Sequence, residues 1–200
     1  MMPEGVEILS LRDIGFEAEI DETGTTLEEN SRIKAEAVVA FIRSQQSETS
    51  RQIDGVFADD TGLEIDALCG EPGVYTARWH KRSPLSYPQG KEPLTEGEIF
   101  AANRAKALRE LKGKTNRGAQ FRTVITLVTL SEEKEMIQVE GIVRGQIATE
   151  EYGEGGFGYD PVFIPEGYDA TFGELPAEIK NQISHRARAI QTLAQHIANI

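Results

Sequence analysis

The chain has 200 residues, 39% hydrophobic and 27% charged, with a formal net charge of −12 and a single cysteine. That length builds one domain, or two tightly joined lobes, around a sizeable core. The acidity argues against a protein that wraps nucleic acid, which would carry a basic stripe. No apolar run is long enough to span a bilayer, and Met1-Met2-Pro3-Glu4-Gly5 has no signal-peptide character. Cys69 alone cannot form an internal disulfide, which fits a reducing, cytoplasmic setting.

In chain order, Val6 to Leu11 reads as a short strand. Thr26-Leu27-Glu28-Glu29 has the capping-box pattern and opens a helix with Leu27, Ile33, Ala37, Val38 and Phe41 near one face. Ser44 to Gln52 is polar and reads as a loop. Val56-Phe57-Ala58 begins a buried strand, and residues 70–98, with several Gly and Pro, read mainly as loop. Thr95-x-x-Glu98 is a second capping box, opening a helix through Leu111. Phe121 to Leu130 carries apolar residues of both parities, so both faces are expected to be covered. Glu132 to Glu135 reads as a hairpin turn, after which Met136 to Ile147 pairs back. Ser184 to Ile197 is a helix with Ile190, Leu193, Ala194 and Ile197 on one stripe. The mixture gives an α/β class.

Three constellations carry chemistry. Asp59 and Asp60 are adjacent, and adjacent strand residues point to opposite faces. Thr61-Gly62 are turn formers, so Asp60 is expected to project from a strand end into a cleft, where α/β sheets place their ligands. There it can hold Mg²⁺ or take a proton from water; the alternative is a polar turn whose acids cap backbone amides. Gly153-Glu154-Gly155-Gly156-Phe157-Gly158 matches G-x-G-x-x-G, but Pro161 follows where a dinucleotide site needs a helix. The glycines instead let a ligand approach the backbone, with Phe157 placed to stack on a base and Asp160 to hydrogen-bond it; otherwise Phe157 is core. Ser184-His185-Arg186 puts two basic residues at a helix N-terminus, where an anion or an electron-rich carbonyl would relieve the conflict with the dipole. Pairing of His185 and Arg186 with surface acids is the simpler alternative. Asp21-Glu22 either favours the first helix or completes a metal site with Asp60, and spacing does not decide which.

In their order, Glu22-Thr23-Gly24, Glu29-Asn30 with Lys34-Ala35, Ala58 to Leu63, Pro72 to Arg78, Gly156 to Phe163, Thr171 with Glu174-Leu175, and Lys180 with Ser184-His185-Arg186 resemble the inosine triphosphate pyrophosphatase family. The resemblance implies an α/β fold with a long mixed central sheet, and residues 1–200 as a single domain of two lobes around a cleft. It implies hydrolysis of non-standard purine nucleoside triphosphates (ITP, dITP, XTP) to the monophosphate and pyrophosphate, with Mg²⁺ on Asp60 and Glu22 and with Asp60 activating water. Phe157 is then the base-stacking ring, Lys180 holds the nucleotide, and His185 and Arg186 read the 6-keto group. Thr61, Gly158, Tyr159 and Asp160 complete the substrate contacts. A guanidinium only donates hydrogen bonds, so adenine, with an amine at C6, leaves it unpaired, whereas hypoxanthine does not.

The same resemblance implies a cytoplasmic homodimer that binds neither nucleic acid nor membrane. The family's opening strand and Thr/Ser-x-Asn-x-x-Lys loop are not present in the chain, so roughly twenty residues, about one strand and a short helix, are expected to be missing before Met1. The 79–103 stretch reads as an insertion without an assigned function. Two rival readings are a Maf-type pyrophosphatase acting on modified pyrimidine nucleotides and a nucleotide-binding module without catalysis.

Overall fold

A long strand with buried residues of both parities organises the fold. The computed structural model describes residues 3–45, 53–82, 94–131 and 135–198. Its elements are α1 (Leu27–Ser44), β1 (Gly55–Ile65), β2 (Pro72–Gly73), α2 (Glu96–Glu110), β3 (Gly118–Thr129), β4 (Met136–Ile147), β5 (Phe163–Pro165), α3 (Ala177–Ile183) and α4 (His185–Ile197). The strands form one five-stranded sheet in the order β2-β1-β3-β4-β5.

The α/β class is as expected. The resemblance implies a mixed sheet, whereas the strands described run antiparallel. Leu63 opposes Gly73, and Gly145 opposes Pro165. Gly55 lies against Val128 while Gly118 lies against Asp66, and Thr129 N–H donates to Glu135 O while Ile147 N–H donates to Arg117 O.

The chain divides into two compact units. The first comprises Met1–Asp60, Thr123–Gly141 and Arg186–Ile200, and the second Thr61–Arg122 and Ile142–His185. In the first unit, alternation along β3 sets the layers. Val128 packs with Ala35, Val38, Val39 and Ile42 of α1. Ile125 and Leu127, of the other parity, pack with Ala189 and Leu193 of α4. Both faces of β3 are thus covered by helices, as its sequence predicts. The buried stripe of α1 runs Leu27, Ser31, Ala35, Val38, Val39, Ile42, so Ile33, Ala37 and Phe41 lie at its flanks, only half-buried.

The second unit is built on Leu63, Ile65, Phe121, Val143, Ile147, Phe163 and Phe172, with Ala107 and Leu111 of α2 and Trp79. The Thr95 capping box is complete: its hydroxyl caps Glu98 N–H, and the Glu98 carboxylate accepts from Thr95 N–H. At Thr26 only half of the box forms. Its hydroxyl accepts from Glu29 N–H, but the Glu29 carboxylate reaches back one residue further, to Thr25 N–H at 2.6 Å.

Three further expectations change. Val6 to Leu11 is not a strand: no described strand pairs with it, and Val6, Ile8 and Leu11 are exposed. A local turn replaces the ladder, with the Asp13 carboxylate accepting from Ser10 N–H and Oγ–H. β1 does not end at Asp60 but continues to Ile65, because ladder pairing overrides the turn preference of Thr61-Gly62. The 70–98 stretch holds β2 and a 3-10 segment over Thr76–Arg82, anchored on α2. Asn103 donates to Thr76 O and Ala77 O and accepts from His80 N–H, while Lys106 donates to Trp79 O. The helix expected from Ser184 to Ile197 forms as α4, beginning at His185 with Ser184 extended just before it, while the short α3 that ends at Ile183 was not expected. Of the loop expected over Ser44 to Gln52, Ser44 is instead the last residue of α1, and residues 46–52, like 132–134 of the turn expected over Glu132 to Glu135, lie outside the described residues. No described helix is long and apolar enough to cross a membrane.

Candidate active site

Asp60 is the focus of the first unit. Alternation along β1 turns its side chain inward, where the residue is 9% exposed, while Asp59 faces outward. On α1, Asn30 and Lys34 are four apart and so share a face. Lys34 Nζ donates to Asp60 Oδ1 at 2.8 Å and to Glu22 Oε1 at 3.2 Å. Asn30 Nδ2 donates to Asp60 Oδ2 at 3.4 Å, and its Oδ1 accepts from Gly24 N–H. That last bond pins the segment carrying Glu22 onto the helix start. Of the two candidate acids before α1, Glu22 is the one joined to Asp60.

Two carboxylates here share one ammonium. Burial raises the Asp60 pKa above the usual aspartate range, and the nearby Glu22 charge adds to the rise, against the pull of Lys34 and Asn30. Burial by itself would lower the Lys34 pKa, but the hydrogen bonds and charges of Asp60 and Glu22 outweigh it and raise it. A carboxylate with such surroundings can accept a proton from water and can ligate a hard cation.

Asp59, on the opposite face of β1, accepts from Arg186 Nε and Nη2 at 3.3 and 3.2 Å. Arg186 therefore pairs with a surface acid, the simpler of the two outcomes its position allowed. The charge conflict at the start of α4 is relieved by a carboxylate of the same unit. His185 takes another course: its ring stacks on Phe121, centroids 4.9 Å apart.

The glycine-rich loop lies in the second unit. Gly156 has φ +84°, and a Cβ there would run into the Asp160 side chain; only glycine fits. Only a 3-10 turn over Asp160–Val162 follows, not an α-helix, in keeping with the rejection of a dinucleotide fingerprint. Phe157 is 62% exposed, so it is not core; it rests edge-on against Phe100, centroids 4.4 Å apart. Asp160 is 3% exposed, and one of its oxygens accepts from both Phe157 N–H and Lys180 Nζ. In this arrangement the Asp160 carboxylate is turned inside, fixing the aromatic residue and the lysine. Gly158 is held through its carbonyl by Arg104 Nη1 at 2.9 Å.

Tyr159 is 3% exposed and donates to Thr76 O. Burial pushes its phenol well above the usual tyrosine range, so this side chain serves the fold. Thr61 follows Asp60 on β1 and is half-buried. The structure thus assembles Asp60, Glu22, Lys34 and Asn30 in one unit, and Phe157, Asp160 and Lys180 in the other. Lys34 and Asn30 received no role from the sequence. Both stand among the residues that carry the family resemblance, but their four-residue spacing by itself fits a solvated helix face equally well.

Comparison with known proteins bears on the whole chain. A sequence profile of the Ham1 family matches residues 1–196. The dITP/XTP pyrophosphatase of Flavobacterium johnsoniae is 44% identical over 193 residues, 96% of this chain and 86% of that protein. That of Bacillus subtilis is 43% identical over 195 residues, 96% and 85% of the two chains. Among solved structures, the Staphylococcus aureus Ham1 protein superposes with a TM-score of 0.75 at 35% identity, covering 96% of this chain and 87% of its own. A nucleoside-triphosphatase, dITP/XTP pyrophosphatase, from Mycobacterium abscessus gives a TM-score of 0.69 at 38% identity, covering 95% and 87%. On this evidence the chain belongs to the Ham1 family.

Proposed function

We infer that the protein hydrolyses non-standard purine nucleoside triphosphates, ITP, dITP and XTP, to the monophosphate and pyrophosphate. Family membership supports the reaction class, and relatives named dITP/XTP pyrophosphatase support the substrates. The Maf-type reading is not favoured, since the relatives named above are dITP/XTP pyrophosphatases and Ham1 proteins. The observation that carries the assignment of a base is Asp60: an inward carboxylate, raised by burial, beside a second acid and an ammonium.

Asp60 accepts the proton of the attacking water. Glu22 and Asp60 are the residues that would hold Mg²⁺. They fit it: their oxygens converge on one point, within 3.2 Å of Lys34 Nζ, and Mg²⁺ is usually bound by one or two carboxylates plus waters and substrate phosphates. When bound, the ion neutralises phosphate charge. Phe157 stacks on the purine, Lys180 holds the nucleotide, and His185 and Arg186 donate to the 6-keto oxygen. Thr61, Gly158 and Tyr159 line the substrate through backbone or hydroxyl groups, and Asp160 orients Phe157 and Lys180. The protein works in the cytoplasm as a homodimer.

The test is pyrophosphate release from ITP, dTTP and ATP with Mg²⁺. Turnover of ITP well above both others is expected. Preference for dTTP would revive the pyrimidine reading, and no release from any of the three would overturn catalysis.

A further inference from the structure

Glu22 and Asp60 come from distant parts of the chain, yet each presents an oxygen within 3.2 Å of one point, and that point is Lys34 Nζ. Asp60 is buried, and the Lys34 and Glu22 side chains are 21% and 34% exposed, so the attraction at that point is only partly screened by water. A divalent cation would bring two charges to the point where the ammonium brings one. With bonds of about 2.0–2.1 Å it would need each carboxylate to draw in by only about 1 Å. Lys34 sits on a flexible four-carbon stem and can withdraw without disturbing α1.

We propose that Lys34 is the exchangeable counter-ion of this carboxylate pair: its ammonium bridges Glu22 and Asp60 and gives that position up to a divalent cation. The inference rests on the reading of Glu22 and Asp60 as metal ligands, and adds that this chain's own lysine competes for them. Metal affinity is then set partly by Lys34, and the lysine is released, still tethered to α1, whenever the metal enters.

Calorimetric titration of Mn²⁺ and Mg²⁺ into the full chain without nucleotide tests this. Lys34→Met is expected to bind metal more tightly than the parent, on the order of tenfold, and Lys34→Arg, which keeps the cation, no more tightly than the parent. A second readout needs no variant of Lys34: acylation of lysine amines, followed by mass spectrometry of the parent protein, should label Lys34 several-fold faster once Mg²⁺ is added. Unchanged or slower labelling overturns the proposal, as does Lys34→Met binding equal to or weaker than the parent. If Asp60→Asn abolishes binding while Lys34→Met does not tighten it, the metal reading stands and the proposal alone falls. Binding indifferent to Asp60→Asn, or absent throughout, removes both.

Discussion

At the scale of single residues, Asp59 and Asp60 show how one peptide unit separates two tasks. Alternation sends Asp60 inward to Lys34 and Asn30 and Asp59 outward to Arg186. Asp60→Asn keeps the size and removes charge and basicity. It should lower kcat for ITP by about a thousandfold or more, the scale of general-base and metal contributions together, with nucleotide affinity and thermal midpoint largely kept. Turnover within a few-fold of the parent would exclude Asp60 as the base. Arg186 is bound to Asp59 in a pair whose side chains are 55% and 41% exposed. Exposed pairs of this kind contribute little, typically 0.2–1 kcal/mol, so the guanidinium is positioned without being locked. Arg186→Ala should cost ITP about 1.5–3 kcal/mol in kcat/KM, roughly ten- to a hundredfold, and cost ATP far less. A ratio of ITP to ATP unchanged by the substitution would make Arg186 a phosphate contact and move selectivity to the 155–160 loop.

At the scale of elements, β3 is more polar inside than its hydrophobic run suggests. Thr123 and Thr126 are wholly buried. Thr126 Oγ1 lies 2.7 Å from Ser31 Oγ on α1 and accepts from Gln138 Nε2 on β4 at 2.9 Å. Thr126→Val preserves shape and adds apolar character, yet it removes a partner of the buried Ser31 hydroxyl and of the exposed Gln138 amide. We expect it to destabilise the protein by about 1–2 kcal/mol in urea unfolding; a neutral or stabilising result would show that the helix–strand contact is apolar in its energetics. These long-range polar contacts mark the limit of what the sequence reveals. The periodicities of α1, α2, β3 and β4 are local, and the sequence shows them. So is strand alternation at residues 59 and 60. The pairing of residue 34 with residue 60, or 31 with 126, is not local, and nothing in the spacing of Lys34, Ser31 or Thr126 points to its partner. The 76–82 segment was hidden for the same reason, since Asn103 and Lys106, two polar residues of α2, hold it. The Val6–Leu11 pattern reads as a strand because its residues favour one, but the conformation requires a ladder partner, which composition does not supply.

At the scale of the whole molecule, an acidic protein with net charge −12 is assigned an anionic substrate. The cations proposed to serve that substrate resolve this apparent conflict in an unusual way. Lys34 is held by Asp60 and Glu22, Lys180 by Asp160, and Arg186 by Asp59. None of the three stands as a bare positive charge waiting for phosphate or carbonyl. An incoming anion therefore meets cations whose attraction is already spent on an internal acid, and each new contact is a trade of one partner for another. Recognition of this kind resembles an ion-exchange column more than an electrostatic trap. What it gives up is long-range pull on anything negatively charged. What it gains is indifference: the many ordinary anions of a crowded solution cannot complete the exchange, and only a ligand that replaces the departing carboxylates with better-placed oxygens is retained.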